Sequence, residues 1–505
     1  MQLRKESLQH ITNASELSLP QEQEWQLPER VLQFGTGVLL RGLIDYYINK
    51  ANRQQLFNGR VVVIKSTGGS TDAFDQQDDL YTQCIKGLMD GKLVESTIIN
   101  AAISRVLSAN EQWQEVLNCA SNPELQIIIS NTTEVGITLQ EDDNIKETPP
   151  QSFPGKLLAF LYARYKAFNG SSAHGMVIIP TELLVDNGNK LKDILLQLAQ
   201  INGLEEPFVK WLTIANDFCN SLVDRIVPGA LPTEEKQALQ QKHGYTDELA
   251  IMSEPYSLWA IETHKEHTRE LLSFSKADRG VVITNNIHKF RELKLRLLNA
   301  THTFSCGLAY LCGFALVNKA MQDERFNTFI HNLMLQETIP CITDSEITAE
   351  EAAAFANSVI NRFSNPFIQH KWLSITLQYS GKMKQRCVPL IIKHYSLTSQ
   401  PPMLMALGFA AYLLFMKAKS VNNGQYYGES NGESYLIQDD KAEYFYELWQ
   451  QNNTEDVVNE VLSNMALWGA DLSALPGFGQ AVLVYISELM KGATLASLLS
   501  LQAEA

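Results

Sequence analysis

At 505 residues, with 45% hydrophobic and 19% charged, the chain is too long for a peptide or a disulfide miniprotein, and its composition is that of a globular protein rather than a disordered tail or a fibre. Dividing by roughly 150 residues per domain predicts two to four domains, each large enough to bury a core. Lys and Arg number 41 against 56 Asp and Glu, a formal net charge of −15; that acid excess argues against a phosphate-backbone binder, so nucleic acid is not an expected partner.

The first 25 residues lack the apolar run of a secretory signal. From Val31 to about Ile283, short β-branched runs alternate with helical patterns. Val31–Phe34, Val61–Lys65, Gln126–Ser130, Met176–Ile179 and Val281–Thr284 are the predicted strands; 38–53, 111–119, 154–168 and 191–200 are the predicted helices. Strands of four to six residues rich in Val and Ile, separated by helices, are what buried parallel strands with crossovers look like. Beyond about Asn286 helical patterns dominate, at 289–321, 349–361, 401–418, 440–451, 457–467 and 479–491. The Gly- and Asn-rich stretch 421–434 reads as a surface loop. The predicted fold class is α/β: a doubly wound domain over residues 1–285, then a mainly α-helical domain over 286–505.

The longest uncharged apolar stretches are 300–317, interrupted by Thr301, His302, Thr303 and Ser305, and 403–416. They read as core helices rather than the ~20 clean apolar residues that span a bilayer, so the expectation is a soluble protein without a membrane partner. Seven cysteines with no Cys-x-x-Cys pair suggest neither a disulfide framework nor a zinc site, and they fit a reducing cytoplasm.

Residues 31–42, VLQFGTGVLLRG, set a strand, a Gly-x-Gly turn and the start of an amphipathic helix in the order a dinucleotide site needs. Gly35 permits the tight turn, Gly37 lets the backbone approach a pyrophosphate, and the helix N-terminus offers free N–H groups. The third glycine of the usual pattern is displaced, with Leu40 in its position and Gly42 two residues later. Two glycines alone also suit an ordinary strand-to-helix turn. The second strand ends on Lys65 rather than the usual ribose-binding acid, which leaves NAD and NADP both open.

In the stretch 285–311, Lys294, Asn299 and His302 fall in one sector of a helix that becomes apolar around most of its girth after Leu297. At α-helical spacing Lys294 and Asn299 are about 140° apart, with His302 projecting between them. Burial there disfavours an ammonium and moves a lysine toward general acid/base duty. By spacing alone the three also suit a solvated face. Residues 180–188, PTELLVDNG, and 220–228, NSLVDRIVP, carry further convergent polar groups, each also readable as a turn or a local ion pair.

Taken with QDDLYT at 77–82, SNTTE at 130–134, EPYSLWAIE at 254–262 and KLRLLNATH at 294–302, these islands resemble the polyol-specific long-chain dehydrogenase/reductase, or mannitol dehydrogenase, family. The resemblance implies a metal-independent, NAD-linked dehydrogenase with a Rossmann-like first domain. It implies Lys294 as general acid/base, Asn187 and Asn299 as holders of the developing alkoxide, His302 as a substrate contact and Asp224 as an acid near the substrate or the lysine. Gly35, Gly37 and Arg41 correspond to the pyrophosphate loop, and Asn131 and Thr132 fall near the nicotinamide ribose. Within the family the motifs are most similar to the branch acting on a sugar acid. A small anionic substrate calls for a cationic contact, with Arg225, Lys289 and Arg291 as candidates.

Overall fold

A computed structural model describes residues 1–132 and 136–501 of the chain. It divides into two units, one formed by residues 1–86 and 93–287, the other by residues 87–92 and the chain from His288 onward.

The first unit is built on a six-stranded sheet. Strands β1 (Glu29–Phe34), β2 (Arg60–Lys65), β3 (Ile103–Ser108), β4 (Ile127–Ser130), β5 (Val177–Pro180) and β6 (Asp217–Phe218) lie in the order β3-β2-β1-β4-β5-β6, every pair parallel. The order reverses between β1 and β4, so the carboxyl edge there is the place where an open α/β sheet takes a ligand. The Val- and Ile-rich runs are continuous because both faces are covered. Leu32, Phe34, Ile128 and Ile178 pack with Leu157, Leu161, Leu191 and Leu195 of helices Phe153–Ala167 and Asn187–Ile201. Val31, Val63, Ile127 and Ile129 pack on the opposite face with Tyr47 and Ile48 of helix Asp45–Arg53.

The strands Tyr81–Met89, Lys92–Asn100 and Ile251–Ser253 of a separate five-stranded sheet, and β3 of this one, are missing from the sequence reading. β3 is absent from it because β3 is an edge strand interrupted by Ser104 and Arg105; Arg105 pairs with Glu29 at 2.9 Å instead of entering a core. Val281–Thr284 is a strand, but it belongs to a separate three-stranded sheet with Ser221–Asp224 and Leu258–Glu262.

The second unit is mainly helical. Helix Met403–Phe415 is buried on all sides between Thr301–Leu311 and Phe478–Met490, which explains why it and the 300–317 stretch are apolar all round. Among the described residues no helix is long and apolar enough to cross a membrane. The predicted surface loop at 421–434 is instead an antiparallel sheet of Ser420–Asn422, Gln425–Ser430 and Glu433–Leu436. Its turns are Asn423-Gly424 and Asn431-Gly432, all four residues at positive φ between 50° and 80°. Asn-Gly at both central positions is the signature of tight hairpin turns, and the Gly and Asn content marks two hairpins rather than a loop.

Among the described residues four stretches run as π-helix, with hydrogen bonds reaching five residues back: Leu40–Ile44, Lys294–Ala300, Leu333–Thr338 and Met383–Cys387. Such turns are rare and concentrate at functional sites. Two of the four carry residues singled out by the sequence.

Candidate active site

In the first unit, β1 runs into Gly35, whose φ of +125° an L side chain rarely adopts. A β-carbon there would lie 2.9 Å from Leu40 Cδ1 and 3.0 Å from the Asn131 carbonyl oxygen, so the turn requires glycine. Gly37 differs: no atom lies within 4 Å of where its β-carbon would stand, which leaves the backbone open to a ligand at the start of the helix. Gly42, out of register with the usual third glycine, does that glycine's packing task, since a β-carbon would meet both Val227 methyls at 2.8 and 2.9 Å.

Arg41 departs from the expected role. Its guanidinium is buried and points inward, donating to the Leu249 carbonyl at 2.6 Å and the Thr36 carbonyl at 3.3 Å, with the Phe74 and Tyr81 rings 5.7 and 5.3 Å away. It braces the glycine turn from beneath. Lys65, at the end of β2, donates to the Gly68 carbonyl at 2.8 Å.

At the ends of β4 and β5, Asn131 donates to Thr181 at 3.0 Å, and the Thr132 N–H and hydroxyl both donate to Glu182 Oε1, at 2.8 and 3.1 Å. Ser130 donates to the other Glu182 oxygen at 3.2 Å. Burial raises the Glu182 carboxyl above the usual range, while these donors work against that rise. Glu182 is thus the clamp that shapes this edge. The sequence reading quoted it in PTELLVDNG without a role; the available signal was an acid two residues past a buried strand. Residues 133 and 134, the end of the SNTTE motif, lie outside the described residues.

Asn187 also departs from its expected role. It is fully buried; its amide nitrogen lies 3.0, 3.0 and 3.1 Å from the carbonyls of Pro180, Glu182 and Ser221, and its oxygen accepts from the N–H groups of Gly188 and Ser221. Two amide hydrogens facing three carbonyls leave none for a substrate oxygen, so Asn187 ties the loop after β5 to the strand Ser221–Asp224. Asp224 ends that strand and is buried, paired across the sheet with Leu258. Arg225 donates to the Glu254 and Gly42 carbonyls at 2.9 and 2.7 Å and lies 4.4 Å over the Tyr46 ring. Like Arg41, it is drawn into the support of the glycine turn.

In the second unit, His288–Leu293, the π-turn Lys294–Ala300 and Thr301–Leu311 follow one another without a break. The π-turn corrects the α-helical geometry assumed from sequence. Bonds five residues back bring positions i and i+5 round to one side, and Lys294 and Asn299 are five apart. Both are half-buried. His302, one turn on, is buried; its ring stacks on Phe363 at 4.1 Å and meets His370 and Trp372 edge-on at 5.4 and 6.0 Å. Burial first, then the positive charge of His370, Arg362, Arg386 and Lys382, holds its pKa well below the ordinary imidazole value. Lys289 is paired with Glu351 at 2.9 Å. No cluster of three or more metal-ligating side chains occurs among the described residues.

A parallel sheet in the order 3-2-1-4-5-6, with a glycine turn and an open helix start at the carboxyl end of its first strand, defines a dinucleotide-binding fold of the Rossmann class. The chain matches the mannitol dehydrogenase Rossmann domain over residues 29–272 and the mannitol dehydrogenase C-terminal domain over residues 286–490, and it belongs to the mannitol dehydrogenase family. It is 40% identical to the altronate oxidoreductase of Halalkalibacterium halodurans over 457 residues, 89% of this chain and 88% of that one. The altronate oxidoreductase of Bacillus subtilis is 36% identical, over 92% and 93% of the two chains. Among solved structures, Pseudomonas fluorescens mannitol 2-dehydrogenase, determined as a ternary complex with NAD and D-mannitol, has a TM-score of 0.70 at 22% identity over 100% of both chains. A D-sorbitol dehydrogenase in substrate-free form has a TM-score of 0.80 at 21% identity, over 99% of this chain and 100% of that one.

Proposed function

We propose that the protein is an NAD-dependent altronate oxidoreductase, interconverting D-altronate and D-tagaturonate, a step of galacturonate breakdown in the cytoplasm. The observation that carries the reading is similarity at 40% identity over 89% of the chain to a protein of that name, in a chain whose Lys294 and Asn299 share one side of a π-turn.

NAD, when bound, supplies the hydride acceptor for alcohol oxidation and the hydride donor for ketone reduction. Gly35 and Gly37 would hold its pyrophosphate, with Lys65, Asn131 and Thr132 at the neighbouring strand ends and Arg41 bracing the loop. The open space at Gly37 fits such a group.

Taking the hydroxyl proton from a secondary alcohol places negative charge on its oxygen, and that alkoxide becomes the ketone as hydride leaves its carbon; hydride addition to the ketone restores the alkoxide. Lys294 takes the hydroxyl proton during oxidation and returns it to the carbonyl oxygen during reduction. Asn299 donates an amide N–H to the developing alkoxide. His302 stays neutral near pH 7 and serves as a hydrogen-bond partner for a substrate hydroxyl rather than as a proton carrier. Asn187 and Asp224 act within the first unit, on the loop after β5 and the strand Ser221–Asp224. General acid/base help is typically worth ~10² to 10⁴ in rate and an oxyanion donor ~10² to 10³, so Lys294 is the most sensitive position.

The test follows NADH absorbance near neutral pH with D-tagaturonate, D-fructuronate and D-fructose offered separately. Rapid NADH loss with D-tagaturonate, abolished in Lys294→Ala while NADH affinity is unchanged, is the expected result. Preference for D-fructuronate or D-fructose would overturn the substrate, and near-normal turnover by Lys294→Ala would overturn the mechanism.

A further inference from the structure

Of the three cationic candidates named from sequence for a sugar acid, Lys289 is taken up by Glu351, and Arg225 spends Nε and Nη1 on the Glu254 and Gly42 carbonyls, with Nη2 buried and without a hydrogen-bond partner among the described residues. The second unit holds a different concentration of positive charge. Lys382, Arg386 and Arg362 bear on His302 alongside the ring of His370, whose own pKa burial lowers, and the buried Nε2 of His302 has no hydrogen-bond partner among the described residues.

Each member of the cluster is fixed by its fold position. Arg386 lies in the π-turn Met383–Cys387 and is partly buried; its Nη1 donates to Thr303 Oγ1 at 3.4 Å. The Thr303 hydroxyl donates in turn to the Asn299 carbonyl at 2.8 Å. The guanidinium therefore sits one side chain away from the Lys294–Asn299–His302 helix. The His370 ring stands 5.4 Å from that of His302. Lys382 donates to the Ile375 carbonyl at 2.8 Å, and burial together with the Arg386 charge disfavours its ammonium. Asp439 is the carboxylate that bears on Lys382, and its oxygens accept from the N–H groups of Ser380 and Lys441 at 2.7 and 2.8 Å.

Like charges gathered around a buried polar atom raise the free energy of the unliganded protein, and an anion relieves that cost. A planar guanidinium is the group best suited to a carboxylate, which it can take with two parallel hydrogen bonds.

We infer that Arg386 seats the carboxylate of the substrate and is the residue by which the site separates a sugar acid from a neutral polyol. The inference rests on the sugar-acid reading above and extends it to a position that the linear sequence did not suggest. His302 and Asn299 then face the hydroxyl-bearing carbons, while Arg386 faces the charged end.

The test compares D-tagaturonate with D-tagatose, which carries a hydroxymethyl group in place of the carboxylate, in the wild type, Arg386→Gln and Arg386→Lys. Arg386→Gln is expected to lower kcat/KM for D-tagaturonate on the order of 10²-fold, mostly through KM, and to change D-tagatose reduction less than about threefold. Arg386→Lys should recover part of the loss because it keeps the charge without the fork. NADH affinity and the thermal midpoint, measured on the same samples, should match the wild type. Parallel losses with both substrates, or an unchanged preference, would overturn the inference and leave Arg386 as a support for the Thr303 turn. Should the wild type reduce D-fructuronate instead, the substrate assignment fails while this inference is read from the D-fructuronate and D-fructose pair.

Discussion

The amide of Asn187 touches five backbone groups, whereas Asn299 stands half-buried on the same side of a π-turn as Lys294. The two asparagines look equivalent in sequence; the structure spends the amide of Asn187 on the backbone, and the proposed alkoxide contact falls to Asn299. Asn187→Ala leaves buried N–H and C=O groups unpaired, at about 1–3 kcal/mol for each group that finds no water. Its effect should appear as a lower urea midpoint, about 3 kcal/mol in stability, with kcat per folded molecule little changed. Asn299→Ala should do the reverse, lowering kcat ~10² to 10³-fold at wild-type stability. Equal losses of stability in both variants would contradict this division. Residues 187, 294, 299 and 302 are singled out by the resemblance of their motifs; by spacing alone 294, 299 and 302 also suit a solvated face, and 187 a turn. Which amide faces outward was not legible, since it depends on carbonyls at 180, 182 and 221 that only the folded sheet brings together. Arg386 escaped notice for the same reason: it lies 84 residues beyond His302 in the chain and on a different helical segment.

At the scale of the element, the turn after β1 separates two demands that Gly-x-Gly motifs combine. Gly35 answers to the protein, because its positive φ and its contacts at 2.9 and 3.0 Å exclude a side chain. Gly37 is open instead, with no described residue within 4 Å of its missing β-carbon, and in the proposed reading that space belongs to the ligand. Gly35→Ala should therefore cost roughly 1–3 kcal/mol of stability together with NADH binding, from strain at the turn. Gly37→Ala should leave the thermal midpoint in place and raise the NADH Kd tenfold or more, read by fluorescence titration. Destabilisation by Gly37→Ala comparable to that by Gly35→Ala would mean that its backbone is constrained by the fold and not by a ligand. Strands with Val/Ile runs were readable because burial on both faces of a parallel sheet writes a continuous apolar signal. The edge strand β3 wrote none, and the two Asn-Gly hairpins at 420–436 were mistaken for a loop because their flanking strands are largely exposed. The π-turns left no periodic trace at all, since one extra residue in a turn shifts the pattern without changing its composition.

Across the whole molecule, the net charge of −15 coexists with buried carboxyl groups in both units whose burial raises their pKa to about 7: Asp45 and Asp79 in the first, Glu337 in the second. Glu337 is buried and accepts from the N–H groups of Leu404 and Met405, both at 2.8 Å, at the start of the core helix Met403–Phe415. Those two bonds pull its pKa down, but desolvation outweighs them. A carboxyl whose folded pKa is raised above its ordinary value of 4.5 contributes stability that is complete below that value and lost as pH rises through about 7. His302, His370 and His394 act in the other direction. Burial lowers their pKa values, so their contribution is complete above the ordinary imidazole value of 6.5 and declines as pH falls below it. The opposed slopes predict greatest stability between these limits. Glu337→Gln isolates one arm, since the amide keeps the shape and an acceptor for one helix N–H but does not ionise. Relative to the wild type, this variant should be about 1.4 kcal/mol more favourable at pH 8 than at pH 6, because only the wild type must then ionise a buried group. Urea unfolding of both proteins at the two pH values measures that difference, and a gap independent of pH would show that Glu337 already carries its charge at pH 6.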